Sequence, residues 1–297
     1  MFELTKIKGN TYNFDAYTNV GLFINKKGQV ILIDSGDHKR TVRTFNKILE
    51  EKGLKPDVII CTHCHVDHIA GNRFFQEKYG TKILCSDKER MFIKYPDVEP
   101  DIMYNGVSVN KKLNPNYQGE PSEPEVFSED NLPEGIELIP MPGHAWQMVG
   151  VKTEDNVIFL ADSIMSEETW AEHKLPFFND VNGSIETLEM VKELEADMFI
   201  ASHAQPMENI TALADLNITR LKERKQLLYE LCNENSADEL FLLFMKELDI
   251  DVQSNRYQTY YVMMRHYLQA LIDDKLIEGE FNGLAYIYKR KLTVCRE

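Results

Sequence analysis

The chain has 297 residues, of which 43% are hydrophobic; this suffices for a large buried core and excludes a disordered polymer. A formal charge of −15 at neutral pH argues against a surface built for phosphate backbones or anionic lipid, because the protein's own field repels both. The cysteines, Cys61, Cys64, Cys85, Cys232 and Cys295, are odd in number and scattered, unlike the paired framework of a small secreted domain. The first residues carry no apolar run of signal-peptide length, and no window approaches the ~20 apolar residues of a membrane span, so a cytoplasmic protein with reduced thiols and no membrane contact is expected. The acidity is uneven. Residues 212 to 297 hold 12 Lys+Arg against 14 Asp+Glu, which leaves 21 against 34 for residues 1 to 211, so the first part carries −13.

In chain order, VGLFINKKGQVILID (20 to 34) is two apolar runs around the turn residues Asn25 to Gly28 and predicts a hairpin. KRTVRTFNKILEEKGL places Val42, Phe45, Ile48 and Leu49 at helical spacing, stops at Gly53, and precedes the apolar run DVIICTH, so a β-α-β unit is predicted. His63 stands where that run ends, and ligand sites recur at the C-terminal ends of strands in α/β folds. GNRFFQEKYG predicts a helix and TKILCSD a strand. Residues 96 to 133 break the pattern with six of the eleven prolines and no periodicity, an irregular insertion expected to act as a lid. Strands resume with IELIPMPGH, MVGVKTEDNVIFLADS and ADMFIASHA, with the helical stretch SIETLEMVKELEA before the last. These runs end in His144, Asp162 and His203.

Beyond Pro206 the pattern becomes helical: ITALADLNITRLKERKQLLYELCNEN, ADELFLLFMKELDI and SNRYQTYYVMMRHYLQALIDDKLI, then a strand pair around Asn282-Gly283. The expected organisation is a first domain over residues 1 to 211 and a small, mainly helical, winged-helix-like domain over residues 212 to 297.

The stretch CTHCHVDHIAG (61 to 71) supports two chemistries. Cys61-x-x-Cys64 has redox or zinc-knuckle spacing, while His63-x-His65-x-Asp67-His68 packs four metal-type ligands into six residues. A redox pair needs a thiol exposed at a helix N-terminus, and a structural zinc site needs a second ligand pair, which Cys85, Cys232 and Cys295 do not supply. Cys61 falls within the apolar run and is expected to pack as a small hydrophobe. Alternation along an extended segment sends His63 and His65 to one side, while Asp67 and His68, opening the next helix, turn toward a second position.

With THCHVDHIAG (62 to 71), PGH (142 to 144), FLADS (159 to 163) and SHA (202 to 204) in this order, the sequence resembles the metallo-β-lactamase fold superfamily over roughly residues 1 to 210. The resemblance implies an α/β fold, an αββα sandwich with metals at one edge of paired sheets. It implies His63, His65 and His144 on one metal, Asp67, His68 and His203 on another, and Asp162 between them. Two divalent metal ions follow, zinc first, with iron or manganese accepting the same donors. Asp34 in ILIDSGD matches an aspartate that would orient ligands. The implied activity is a hydrolase in which a hydroxide on the dinuclear metal site attacks an ester, lactone, thioester or phosphoester of a small-molecule substrate, with Asp67 as the catalytic proton carrier. The alternative in this superfamily is a mononuclear-iron sulfur dioxygenase; His65 argues against the oxygen-reducing diiron branch, which typically has Glu there. The text GHAWQMVG departs from the family, with Ala145 in place of the usual hydroxyl residue and Trp146 bringing a bulky ring toward the pocket.

The expected substrate contacts stand in the lid, at Met103, Tyr104 and Tyr117, at Trp146, and in SIMSEETWAEHKLPFF, at Met165, Trp170 and His173. The last helix offers only Arg256, Arg265 and His266 as basic groups, whereas Tyr257, Tyr260, Tyr261, Met263 and Met264 suit packing. The C-terminal unit is therefore expected to cap the site or form a homodimer, with nucleic-acid binding as the alternative.

Overall fold

Val30, Ile31, Leu32 and Ile33 are all buried in the computed structural model because their strand is covered on both faces. Successive side chains on a strand point to opposite faces. Ile31 and Ile33 accordingly join a cluster with Phe159, Val151 and Ile200 of a second sheet, while Val30 and Leu32 join another with Phe45, Leu49 and Phe75 of outer helices. The structure describes residues 2–104, 106, 119–252 and 256–291; Tyr117 lies outside them.

The first sheet is β1 (Glu3–Lys8), β2 (Thr11–Asp15), β3 (Val20–Ile24), β4 (Val30–Ile33), β5 (Val58–Ile60), β6 (Lys82–Cys85) and β7 (Glu125–Val126), in that spatial order. The pairings are antiparallel from β1 to β4 and parallel from β4 to β7. Between these strands run α1 (Lys39–Glu51), α2 (Val66–Ile69), α3 (Asn72–Tyr79), α4 (Asp87–Lys94) and α5 (Val98–Met103). The second sheet is β8 (Ile136–Pro140), β9 (Val149–Thr153), β10 (Val157–Ala161) and β11 (Met198–Ala201), ordered β11-β10-β9-β8. Its outer face carries α6 (Glu167–His173) and α7 (Val181–Lys192). With helices outside each sheet, the architecture is the αββα sandwich.

The hairpin, the β-α-β unit and the later strands form where the apolar periods place them. Several elements carry no such signal, α4 and β7 among them. β1 is a largely exposed edge strand and β2 follows it, so their text mixes charge with apolar residues. Within the Pro-rich insertion the described residues form α5, whose buried residues are Glu99 and Pro100, and the short strand β7. The stretch after Asp162, expected as loop, contains α6, which Ser166 caps by accepting a hydrogen bond from the Thr169 N–H.

The C-terminal part comprises α8 (Thr211–Leu231), β12 (Asn233–Ser236), α9 (Ala237–Glu247), α10 (Tyr257–Asp273), β13 (Ile277–Phe281) and β14 (Tyr286–Arg290). Its three strands pair antiparallel in the order β12-β14-β13. No separate core divides it from the sandwich. One continuous cluster runs from Ile158, Leu160 and Phe199 on the second sheet to Leu221, Phe241 and Met263 on the C-terminal helices. On α10, Tyr260, Met263, Met264, Tyr267 and Leu271 are buried. No helix among the described residues is long and apolar enough to cross a membrane.

Ending the chain after residue 211 strips this cover from α7 and the second sheet. At about 25 cal/mol per Å² of apolar surface returned to water, the loss is large against ordinary domain stability. The truncated chain is expected to aggregate or to unfold at markedly lower temperature, measured by differential scanning calorimetry; a soluble truncation with an unchanged Tm would contradict the shared core.

Candidate metal centre

Five strand ends converge at one edge of the sandwich. Behind β4, Asp34 adopts the left-handed conformation with φ 62°. Its carboxylate accepts hydrogen bonds from the Thr62 N–H and hydroxyl, both at 2.8 Å, and lies 2.7 Å from His68 Nδ1. One side chain thereby joins the ends of two strands to α2. Behind β10, Ala161 is also left-handed, φ 51°, a strain on the order of 1–2 kcal/mol that turns Asp162 into the site. Before His144, Gly143 has φ 132°, and a Cβ there would stand 2.4 Å from Ser184 Oγ, so only glycine lets this loop lie on α7. Beyond β11, Asn19 donates to the Ala201 and Ala204 carbonyls, both at 2.8 Å, and His203 Nδ1 donates to the Tyr17 carbonyl at 3.1 Å.

These supports choose which ring nitrogen faces the site. The single Thr62 hydroxyl proton goes to Asp34, so His63 Nδ1, 3.0 Å away, carries a proton and donates to Thr62 Oγ1. His63 Nε2 is left with its lone pair buried and unpartnered. His144 Nδ1 donates to the Phe177 carbonyl at 2.9 Å, turning Nε2 inward, 2.8 Å from His65 Nδ1 and 3.4 Å from Asp162 Oδ2. His68 Nε2 stands 3.3 Å from Asp162 Oδ1, and neither atom has an aligned hydrogen-bond partner. His203 Nε2 lies 3.3 Å from Asp67 Oδ2 and 3.5 Å from Asp162 Oδ2. The atoms fall into two groups, His63, His65, His144 and Asp162, and Asp67, His68, Asp162 and His203, each within 4.8 Å. All seven residues proposed from the sequence are thus brought together, with Asp162 common to both groups.

The charges offset one another within the site. Burial keeps His63 well below its ordinary pKa and takes His65 down to about 3; His144 is lowered by the same cause. Burial also acts against protonated His68, but Asp162, Asp67 and Asp34 outweigh it and hold the ring well above its usual value. His203 rises to about 10, its burial likewise outweighed by Asp162 and Asp67. Burial would raise Asp67 and Asp162, yet the imidazolium groups of His68 and His203 keep both lowered. Two cationic rings therefore face two carboxylates at neutral pH. Three buried atoms, His63 Nε2, His68 Nε2 and Asp162 Oδ1, remain without hydrogen bonds. The His63 nitrogen costs about 1–3 kcal/mol unless something pairs with it, the other two are held by the 3.3 Å ion pair between them, and two imidazole nitrogens with a carboxylate oxygen suit a divalent cation.

Sequence reasoning missed Glu99. This buried residue of α5 brings Oε1 to 3.2 Å from His65 Nε2 and 3.4 Å from Cys64 Sγ, and burial pushes its carboxyl up to about 8. Nothing in DVEPD marks it. Glu89 was missed too; fully buried, it accepts from the Cys64 N–H at 3.2 Å and the Gln147 N–H at 2.8 Å, tying the His63–His65 loop to the loop after His144. Thr18 donates to Asp67 Oδ2 at 3.1 Å. Cys64 is buried with its thiol pushed well up, beside no second thiol pair among the described residues, so it has no place among the ligands.

The structure places the residues expected to line the pocket as follows. Met165 and Trp170 are core residues: Asn217 of α8 accepts from the Met165 N–H and from Trp170 Nε1, both at 2.9 Å. Their side chains turn outward because α8 covers that side of the second sheet. Trp146 stacks on Phe92 with centroids 4.5 Å apart, bracing the outer core. Tyr104 is buried at the end of α5, and His173 pairs with Arg256 near the C-terminal helices.

A cation entering the site displaces protons from His68 and His203, so loading at pH 7.5 should release at least two protons, read from calorimetry in buffers of different ionisation enthalpy. Lower pH then weakens binding, because protons compete for the same nitrogens. Release below one proton would show that both rings are neutral in the empty site. Glu99→Leu should lower metal affinity about 10–100-fold in competition with a chelator, the usual cost of losing an outer partner of a ligating histidine; an unchanged affinity would remove Glu99 from the site.

Comparison with known proteins agrees with this geometry. Residues 15–203 match the family model of the metallo-beta-lactamase superfamily. A probable metallo-hydrolase of Methanocaldococcus jannaschii is 33% identical over 159 residues, 52% of this chain and 69% of that protein. A hydroxyacylglutathione hydrolase of Prochlorococcus marinus is 23% identical over 231 residues, covering 76% and 81%. The crystal structure of a metallo-beta-lactamase family protein from Thermus thermophilus superposes with a TM-score of 0.70 at 19% identity, covering 92% of this chain and 94% of that one, so the likeness in fold continues past residue 203. Strand ends, ligand order and family model coincide, and the chain belongs to the metallo-beta-lactamase superfamily.

Proposed function

We propose that the protein is a hydrolase working with two divalent cations, zinc first, on an ester-type bond, with acyl esters and thioesters ahead of lactones and phosphoesters. The observation that carries this reading is Asp162, shared by two ligand groups, where three buried ligand atoms, one of them its own Oδ1, lack hydrogen bonds. The hydroxyacylglutathione hydrolase named above supports an acyl substrate. Cations held by these residues would supply Lewis acidity, activating a water and polarising the scissile carbonyl or phosphoryl oxygen.

The chain's own residues account for approach and proton handling. The Asp67 side chain is 28% exposed and His203 16%, against 5% for Asp162, so substrate meets the site from the Asp67 side. Thr18 fixes Asp67 Oδ2, which lets this carboxylate take a proton from the attacking water and deliver it to the leaving group. On this reading α10 belongs to the hydrolase. Its apolar face is buried, which supports a bracing role over nucleic-acid binding, and a homodimer through the exposed remainder of the C-terminal unit stays within the proposal. The order of one helix, one strand, two helices and two strands is that of a winged helix. Cys61, Cys64, Cys85 and Cys232 are free thiols, which suits a reducing, cytoplasmic setting.

Elemental analysis of the purified protein should give two transition metals per chain, and His63→Ala or Asp162→Ala should lower that content while Cys64→Ser leaves it unchanged. Asp67→Asn should lower kcat by about 10²–10⁴ on the best ester or thioester found in a substrate screen. One iron per chain, with oxygen consumed in the presence of a persulfide, would replace the hydrolase by the dioxygenase.

A further inference from the structure

His144 owes its orientation to a backbone carbonyl that its own domain does not hold alone. Its Nδ1 donates to the carbonyl of Phe177, in the segment between α6 and α7. The next carbonyl along, that of Phe178, accepts from Nδ1 of His266 on α10 at 2.8 Å. The Phe177 ring is central to the same group: its centroid lies 5.6 Å from the His65 ring, 6.0 Å from His144 and 5.7 Å from His266, each edge to face. Below it, the Asp180 N–H donates to the Gly143 carbonyl at 2.8 Å, so the segment lies alongside the loop that carries His144. Segment 177 to 180 is therefore a strap, with the His144 loop on one side and the C-terminal helix on the other. α10 also packs against α5, the helix that brings Glu99 to His65.

We infer that His266 is a positioning residue for the three-histidine metal group: by holding the Phe178 carbonyl it sets the adjoining Phe177 carbonyl, and through that the ring of His144. A ligand imidazole needs its second nitrogen fixed if its first is to point at the cation, and the partner that fixes it governs affinity. Here the partner is a main-chain atom, so its own position must be fixed by something else. The Phe177 ring, wedged between two ligand rings and His266, transmits any shift of α10 to His65 and His144 together. The inference rests on the metal-site reading above, and it gives the C-terminal unit a part in that site beyond covering apolar surface.

The test compares full-length wild type with His266→Asn, which keeps a side-chain N–H near the place of Nδ1, and His266→Leu, which keeps bulk and removes the donor. Each is titrated with cobalt(II), following the visible spectrum and chelator competition, after thermal unfolding of the metal-free protein has been recorded. The leucine variant should lose about tenfold in affinity at one of the two positions, the low end of outer-partner effects, with a changed spectrum there and the second position unaltered. The asparagine variant should restore both. Equal affinity in wild type and the leucine variant overturns the inference, as does an equal loss at both positions that tracks a fall in Tm and is not rescued by asparagine. If the leucine variant does not fold, wild-type affinity in a folded His266→Ala variant overturns it equally. Wild type that binds no cobalt would instead refute the metal-site reading itself.

Discussion

Five imidazoles and two carboxylates crowd one edge of the sandwich, most of them withdrawn from water, and the rest of the site answers to the cost of keeping them there. Isolated buried charges are too costly to persist, so a site of this kind must be paired, neutral or ready to receive a cation. This one divides the problem. Three rings are neutral because burial disfavours their charge, and two are held cationic against two carboxylates. Each ring then has its outward nitrogen occupied: His63 by Thr62, His68 by Asp34, His144 by the Phe177 carbonyl, His203 by the Tyr17 carbonyl and His65 by Glu99.

Those partners come from distant parts of the chain. Asp34 follows β4, Tyr17 belongs to the turn between β2 and β3, Phe177 to the strap before α7, and Glu99 to α5. The site can form only when both sheets are docked, and bonds between the sheets secure that docking: the Val149 N–H donates to the Thr62 carbonyl at 3.0 Å, and the Asn19 N–H to the Ser202 carbonyl at 2.9 Å. The strained residues Asp34 and Ala161 stand at strand ends where a ligand or its support must turn inward. Strain in such places is held by the surrounding structure, here the core between the sheets.

The apolar cluster on the far side of the second sheet extends the same dependence to the C-terminal helices. Asn217 of α8 holds the backbone on both sides of Met165, through a 2.9 Å bond from its N–H and a 2.8 Å bond to its carbonyl, just beyond Asp162. Lys174 pairs with Asp249, and Lys225 and Asn182 reach Asp274. Covering and bracing are therefore one function of this unit, because the segment it covers is the one that orients a ligand.

The sequence by itself determined the inner strands of both sheets, their largely apolar texts and the metal-type residues at their ends. Those signals are local: a strand buried on both faces writes a continuous apolar run, and a ligand must be one of a few side chains at the end of it. Asp34 was legible for the same reason, since it follows ILI directly. Tertiary structure decided the rest. Glu99 carries no periodicity to mark it, the Phe177 and Tyr17 carbonyls have no side-chain identity at all, and nothing in the text around Met165 and Trp170 announces their bonds to Asn217 of α8. A backbone acceptor or a lone buried acid acquires its role only from what the folded chain brings beside it, and such neighbours, tens of residues away in sequence, leave no trace in the text of the segment they support.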